Sequence, residues 1–114
     1  MWIGGYLGPS YKLMLKDDEV VYESYERGYV LKDTHRFSVE DLDWDRFYQE
    51  IAQFAPWEWD STYRGHDAPD GTTWYVVMED ASHRVESRGL NRYPPGYVGF
   101  LRTVRALLGG LPFA

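Results

Sequence analysis

The sequence has no cysteine. Disulfides, thiolate metal sites and cysteine nucleophiles are excluded, and a reducing compartment is the expectation. There is no run of about 18 apolar residues, so no membrane-spanning helix is expected. Met1-Trp2-Ile3-Gly4-Gly5 lacks the basic start and long apolar stretch of a signal peptide. These absences point to a cytoplasmic protein without a membrane partner. The histidines, His35, His66 and His83, are never three or four residues apart, so no helical metal pair exists. Neither a G-x-S-x-G elbow nor a glycine-rich phosphate cradle occurs. Asp41, Asp43 and Asp45 have the alternation of a calcium loop but lack its glycine, and Leu42 and Trp44 between them suit helix packing. No catalytic residue, cofactor or metal is expected.

What is present is an excess of rings and of negative charge. The 114 residues, one domain's length, include 5 Trp, 10 Tyr and 5 Phe. So small a core cannot enclose twenty rings, and several Tyr and Trp are expected half exposed, where such residues make interfaces. The net charge is −6. It is uneven: residues 1–60 carry 13 acidic and 6 basic side chains, residues 61–114 carry 5 and 6. An acidic first half argues against nucleic acid as a ligand, which needs clustered Lys and Arg. It allows a basic protein partner or mimicry of nucleic acid, beside the plainer and stronger expectation that an acidic surface keeps the protein soluble.

Along the chain, residues 1–10 read as an irregular, glycine-rich lead-in. Tyr11-Lys12-Leu13-Met14-Leu15-Lys16 alternates as a strand, Asp17-Asp18 turns, and 19–25 returns. Tyr29–Lys32 reads as a short extended piece. Ser38 is the expected cap of a helix whose first turns carry Glu40, Asp41, Asp43 and Asp45 at the positive end of the dipole. Leu42, Trp44, Phe47, Tyr48, Ile51 and Phe54 supply its apolar stripe, and Pro56 stops it. After a polar loop over 64–71, Thr73–Met78 is a β-branched and aromatic strand, Asp80-Ala81-Ser82 a turn, and Arg84–Ser87 its partner. Gly89 and Asn91 suit positive φ, Pro95 suits a first helical position, and Phe100, Val104, Leu107 and Leu111 share a helical stripe.

The two hairpins align at a constant offset of 63: Tyr11 with Trp74, Leu13 with Val76, Leu15 with Met78, Glu23-Ser24 with Glu86-Ser87. The expected fold is therefore α+β, a ββα-ββα pseudo-repeat with a four- to five-stranded antiparallel sheet and two helices on one face. The opposite, uncovered face would carry Lys12, Met14, Lys16, Glu23, Tyr25, Tyr75, Val77, Glu79, Arg84, Glu86 and Arg88, a mixture that suits binding.

Ser87-Arg88-Gly89-Leu90-Asn91-Arg92-Tyr93-Pro94, after a Trp-led strand and before an amphipathic helix, resembles the corner of a group of small, mostly bacterial domains of unknown function. They share a Trp strand, an S-x-G-x-N-x-Y/F-P corner and a closing helix, and the resemblance covers residues 57–110. Some small acidic proteins of this kind are encoded beside toxin or phage-related genes, and an immunity or inhibitor role is what the resemblance implies.

Two sets of candidate residues follow. The first is an acidic, aromatic surface for a basic partner: Asp41, Asp43 and Asp45 on the first helix, with Trp57, Trp59 and Tyr63 as an aromatic clamp if that segment is extended. The competing role for both Trp is to close the end of the core. The second set serves a small enzyme or small-molecule binder: Arg88, Asn91 and Arg92 at the corner with His66 in the 64–71 loop. Here a structural corner, with Asn91 bonding local backbone and Tyr93 packing on Val98, is the stronger expectation. Self-association through the sheet edge or the exposed rings is a third route.

Overall fold

The computed structural model describes residues 1–65 and 71–114. Its strands are β1 (Trp2–Gly4), β2 (Ser10–Lys16), β3 (Glu19–Glu26), β4 (Val30–Ser38), β5 (Thr62–Arg64), β6 (Thr73–Glu79) and β7 (Arg84–Leu90). They form one sheet in the order β4-β3-β2-β1-β6-β7-β5. The glycine-rich lead-in is thus the central strand. Ile3 of β1 faces Tyr11 on one side and Trp74 on the other. All pairings are antiparallel except β5 on β7. The fold is α+β as expected, but the sheet is mixed and has seven strands rather than four or five.

The matching hairpins do occupy matching registers, since Tyr11 and Trp74 both sit opposite Ile3. Nevertheless they are not copies. Strands β2 and β6 both run antiparallel to β1 and show the same face, yet β3 lies outward on one side and β7 outward on the other. The hairpins therefore turn with opposite hands. No rotation superposes them, and the ββα repeat gives way to two similar patterns of alternation meeting across β1.

Trp74, Val76, Met78 and Val85 on one sheet face form a single core with Phe47 and Ile51 of α1 (Trp44–Ile51) and Phe100, Leu101 and Val104 of α2 (Tyr97–Leu107). Both helices cover this same face. Phe100 and Val104 are fully enclosed, each contributing about 2–3 kcal/mol of apolar burial. The stripe ends one residue differently from expectation. Gly109 and Gly110 take positive φ and close the helix, so Leu108 is buried while Leu111 lies beyond it. The chain then returns over the sheet, where Tyr22 donates a hydrogen bond to the Pro112 carbonyl and Phe113 packs on Tyr11.

Trp74 is the anchor. Its ring is 1% exposed and its indole N–H donates to the Arg92 carbonyl at 2.8 Å. Gly89, directly opposite, is required for space: a Cβ there would stand 2.2 Å from the Trp74 indole nitrogen. Its expected positive φ is not used. Asn91 alone takes it, at 52°.

Three boundaries move for identifiable reasons. Ser38 ends β4 instead of capping a helix and makes no side-chain cap bond. Val39–Asp41 is a single 3₁₀ turn, and α1 starts at Trp44, capped by Asp43, which accepts from the Arg46 amide at 3.1 Å. Pro95 precedes α2 rather than opening it, and Gly96, with φ 78°, stands at the helix start.

Candidate functional site

The segment after α1 decides where the rings go. Pro56–Glu58 is a 3₁₀ turn, not an extended piece, so Trp57 and Trp59 diverge. Trp59 turns into the core, with Phe100 5.0 Å, Tyr97 5.8 Å and Trp74 6.2 Å away between ring centroids. Its indole N–H is buried without a partner among the described residues. Tyr63, on β5, lies 5.9 Å from the Trp74 ring and its hydroxyl accepts from the Asp60 amide at 3.0 Å. The three-ring clamp does not form. Trp59 and Tyr63 close the end of the core.

Trp57 goes the other way and heads a half-exposed ledge. Its indole stacks on the His83 ring at 5.1 Å and 18°, and on Tyr48 at 6.4 Å and 14°. Tyr48 in turn meets Trp44 at 6.3 Å. Trp44 is fixed by its N–H bond to the Val39 carbonyl at 2.8 Å, and Tyr48 by its hydroxyl bond to the Glu79 carbonyl at 3.3 Å. The ledge thus joins α1, the 3₁₀ turn and the β6–β7 turn. His83 is exposed in that turn, although a period of two counted back from Val85 sets it on the core face.

One carboxylate touches the ledge directly. Asp80 accepts from the Ser82 and His83 amides, both at 2.7 Å, and lies 3.3 Å from the His83 ring nitrogen. The Ser82 amide first, then the His83 amide and ring, hold its carboxyl below the ordinary range. Burial, and then the Asp80 charge, push the Tyr48 hydroxyl up. Asp41, Asp43 and Asp45 are exposed. Among the described residues none of the three has a cationic partner within 4 Å. Glu79 and Glu50, by contrast, are paired with Arg84 and Arg46. Four rings, of which Trp44 and Tyr48 are fixed by bonds to main-chain carbonyls, therefore form the ledge. Asp45, next to Trp44 in α1, and Asp41, in the turn before it, add carboxylates without a cationic partner among the described residues, while Asp43 caps the helix.

The corner residues do not converge on a site. The Asn91 side chain accepts from the Thr72 amide at 2.9 Å and its own amide donates to the Thr72 carbonyl, which fastens the start of β6. The Arg92 carbonyl holds Trp74, and its side chain is exposed. Tyr93 stacks on Tyr97 at 5.2 Å instead of on Val98, which is largely exposed. His66, Asp67 and Asp70 lie outside the described residues. Arg88 separates from the other corner residues and stands on the uncovered sheet face, its guanidinium 5.7 Å above the Tyr75 ring. The uncovered face carries the residues alternation assigned to it, since Lys12, Glu23, Tyr75 and Arg88 fall in one cross-strand row with Trp2. Trp2 carries no such signal, because a three-residue strand that runs into Gly4 and Gly5 shows no period to read.

Among the described residues, no three His, Asp or Glu side chains stand close enough to hold a metal ion, and no helix is long and apolar enough to cross a membrane. Neither a protein-family model, nor a curated protein, nor a solved structure matches the chain.

Proposed function

We propose that the chain is a non-enzymatic protein-interaction domain, of the immunity or inhibitor kind, that holds a basic partner against the ledge of Trp44, Tyr48, Trp57 and His83. The observation that carries this reading is the half-exposed Trp57 indole, stacked on His83 and nearly parallel to Tyr48, with the carboxylates of Asp41 and Asp45, unpaired among the described residues, flanking Trp44 in sequence. Aromatic faces attract Arg and Lys heads, each contact contributing about 0.5–2 kcal/mol. Free carboxylates steer a cationic surface toward them and fix its orientation. Asp43 is left to its capping role, and Trp59 and Tyr63 to the core.

The test is a retention experiment. The wild-type chain and the Asp41→Lys/Asp45→Lys variant are immobilised side by side and exposed to lysate of a cell that encodes the protein. The reading expects a protein of high isoelectric point on the wild type that is lost from the variant and eluted by about 0.3 M salt, where the Debye length falls well below 10 Å. Identical retention on both columns, or no retained basic protein, contradicts it.

A further inference from the structure

The uncovered sheet face holds a second site with the opposite sign. Register places Thr62, Arg88, Tyr75 and Trp2 side by side on four neighbouring strands. They floor a cleft of about 610 Å³ whose lining also includes Arg64 and Thr73. That volume falls within the range of small-molecule sites. No Asp or Glu lines it among the described residues. Arg88 is exposed, stands over the Tyr75 ring with its guanidinium carbon 5.7 Å from the centroid, and has no carboxylate within 4 Å among the described residues. The other ring of that row, Trp2, is held by neighbours, standing 5.9 Å from both Tyr25 and Tyr29.

We propose that this cleft binds a small planar organic anion. The carboxylate or phosphate takes the two-pronged guanidinium of Arg88, and the ring lies against Trp2 and Tyr75. A guanidinium fixed by an aromatic ring loses less freedom on binding and presents its fork already oriented, which favours planar oxyanions over halide or a diffuse charge. The hydroxyls of Thr62 and Thr73 add donors at the edges. A phosphate polymer is disfavoured, because Glu86 borders Tyr75, bonding its hydroxyl at 3.4 Å, and Glu23 borders Lys12 in the same row. One anionic group is accommodated where a chain of them is repelled. This site shares no residue with the ledge.

Calorimetric titration of the full chain at low salt, with phenyl phosphate, benzoate and adenosine monophosphate as probes, tests the assignment. Inorganic phosphate supplies the charge without the ring, and adenosine the ring without the charge. At least one ring-bearing anion should bind about tenfold or more tightly than both controls. Arg88→Gln should weaken it by about tenfold, the loss of one charge-assisted pair. Arg88→Lys, which keeps the charge and loses the fork, should weaken it by a smaller factor. Trp57→Ala should leave it unchanged, so that failure of this site and failure of the ledge are told apart. Preference for the monophosphate assigns a nucleotide, and preference for phenyl phosphate or benzoate an aromatic acid. No saturable binding of any ring-bearing anion at millimolar concentration, equal binding of inorganic phosphate, or full affinity in Arg88→Gln overturns the proposal.

Discussion

Trp74 and Trp57 are the same side chain in two settings, and the contrast separates what folds this protein from what it offers to others. Trp74 is enclosed between β7 and α2, its indole N–H satisfied and its neighbour reduced to glycine to admit it. Trp57 is half exposed, its ring set against half-exposed Tyr48 and exposed His83. Aromatic surface that is ordered but not enclosed contributes less to stability than the same area inside, and it is what binding interfaces use.

The contrast breaks most visibly at Trp74. Trp74→Ala should destabilise the fold by about 3–5 kcal/mol in chemical denaturation, whereas Trp57→Ala should cost about 1 kcal/mol. Equal losses would place Trp57 in the core. Gly89→Ala, which forces a methyl onto the Trp74 indole and the Arg92 carbonyl, should cost about 1–3 kcal/mol by overpacking. A melting temperature unchanged by that substitution would mean the anchor is loosely seated.

A third difference is in alkali. Tyr97 lies in the Trp74 core, and burial first, then nearby Tyr93, raises its hydroxyl well above the ordinary value. The unfolded chain ionises this group near pH 10, while the folded chain keeps the proton. Its contribution is therefore complete below about pH 10 and is lost as pH rises toward the folded value, at a slope approaching about 1.4 kcal/mol per pH unit. Tyr97→Phe should flatten the stability curve above pH 10 by about that slope, and an unchanged curve would show the hydroxyl to be hydrated. The smallest effect belongs to Trp59. Its indole N–H is buried and unpaired, a cost of about 1–3 kcal/mol that Trp59→Phe relieves while giving up part of the ring. The two should nearly cancel, leaving stability within about 1 kcal/mol of wild type by urea titration.

Much of the fold is legible in the sequence where one face is buried and the other wet. The hairpin over residues 73–88 alternates cleanly, and Phe100 and Val104 mark the helix stripe, because packing on one side imposes those periods. The hairpin over residues 11–25 departs from its pattern, since Leu15, matched to buried Met78, is 69% exposed and Val20, Val21 and Tyr22 are buried in succession. Legibility fails where packing imposes none. Strand β1 is three residues beside two glycines, and nothing local announces that it will be flanked on both sides. Strand β4 is exposed along almost its whole length, so its side chains are free of any period and its Ser38 passes for a helix cap. The repeat is visible as spacing, but handedness is not, since alternation is the same for a hairpin turning either way. At the site, the acidic run and Trp57 were identifiable from charge and aromatic excess. Their assembly with Tyr48 and His83 was hidden, because it depends on a 3₁₀ turn that separates Trp57 from Trp59. The pairing of Arg88 with Trp2 was hidden for the reason β1 was.

The central claim is that the ledge is built to receive cationic side chains, and titration with a short arginine-rich peptide measures it most directly. Followed by calorimetry at low ionic strength, wild type should bind saturably. Trp57→Ala and Asp41→Lys/Asp45→Lys should each weaken binding about tenfold or more while remaining folded, and Arg88→Gln should change nothing. Equal affinity across all four chains, or loss only in Arg88→Gln, would contradict the claim.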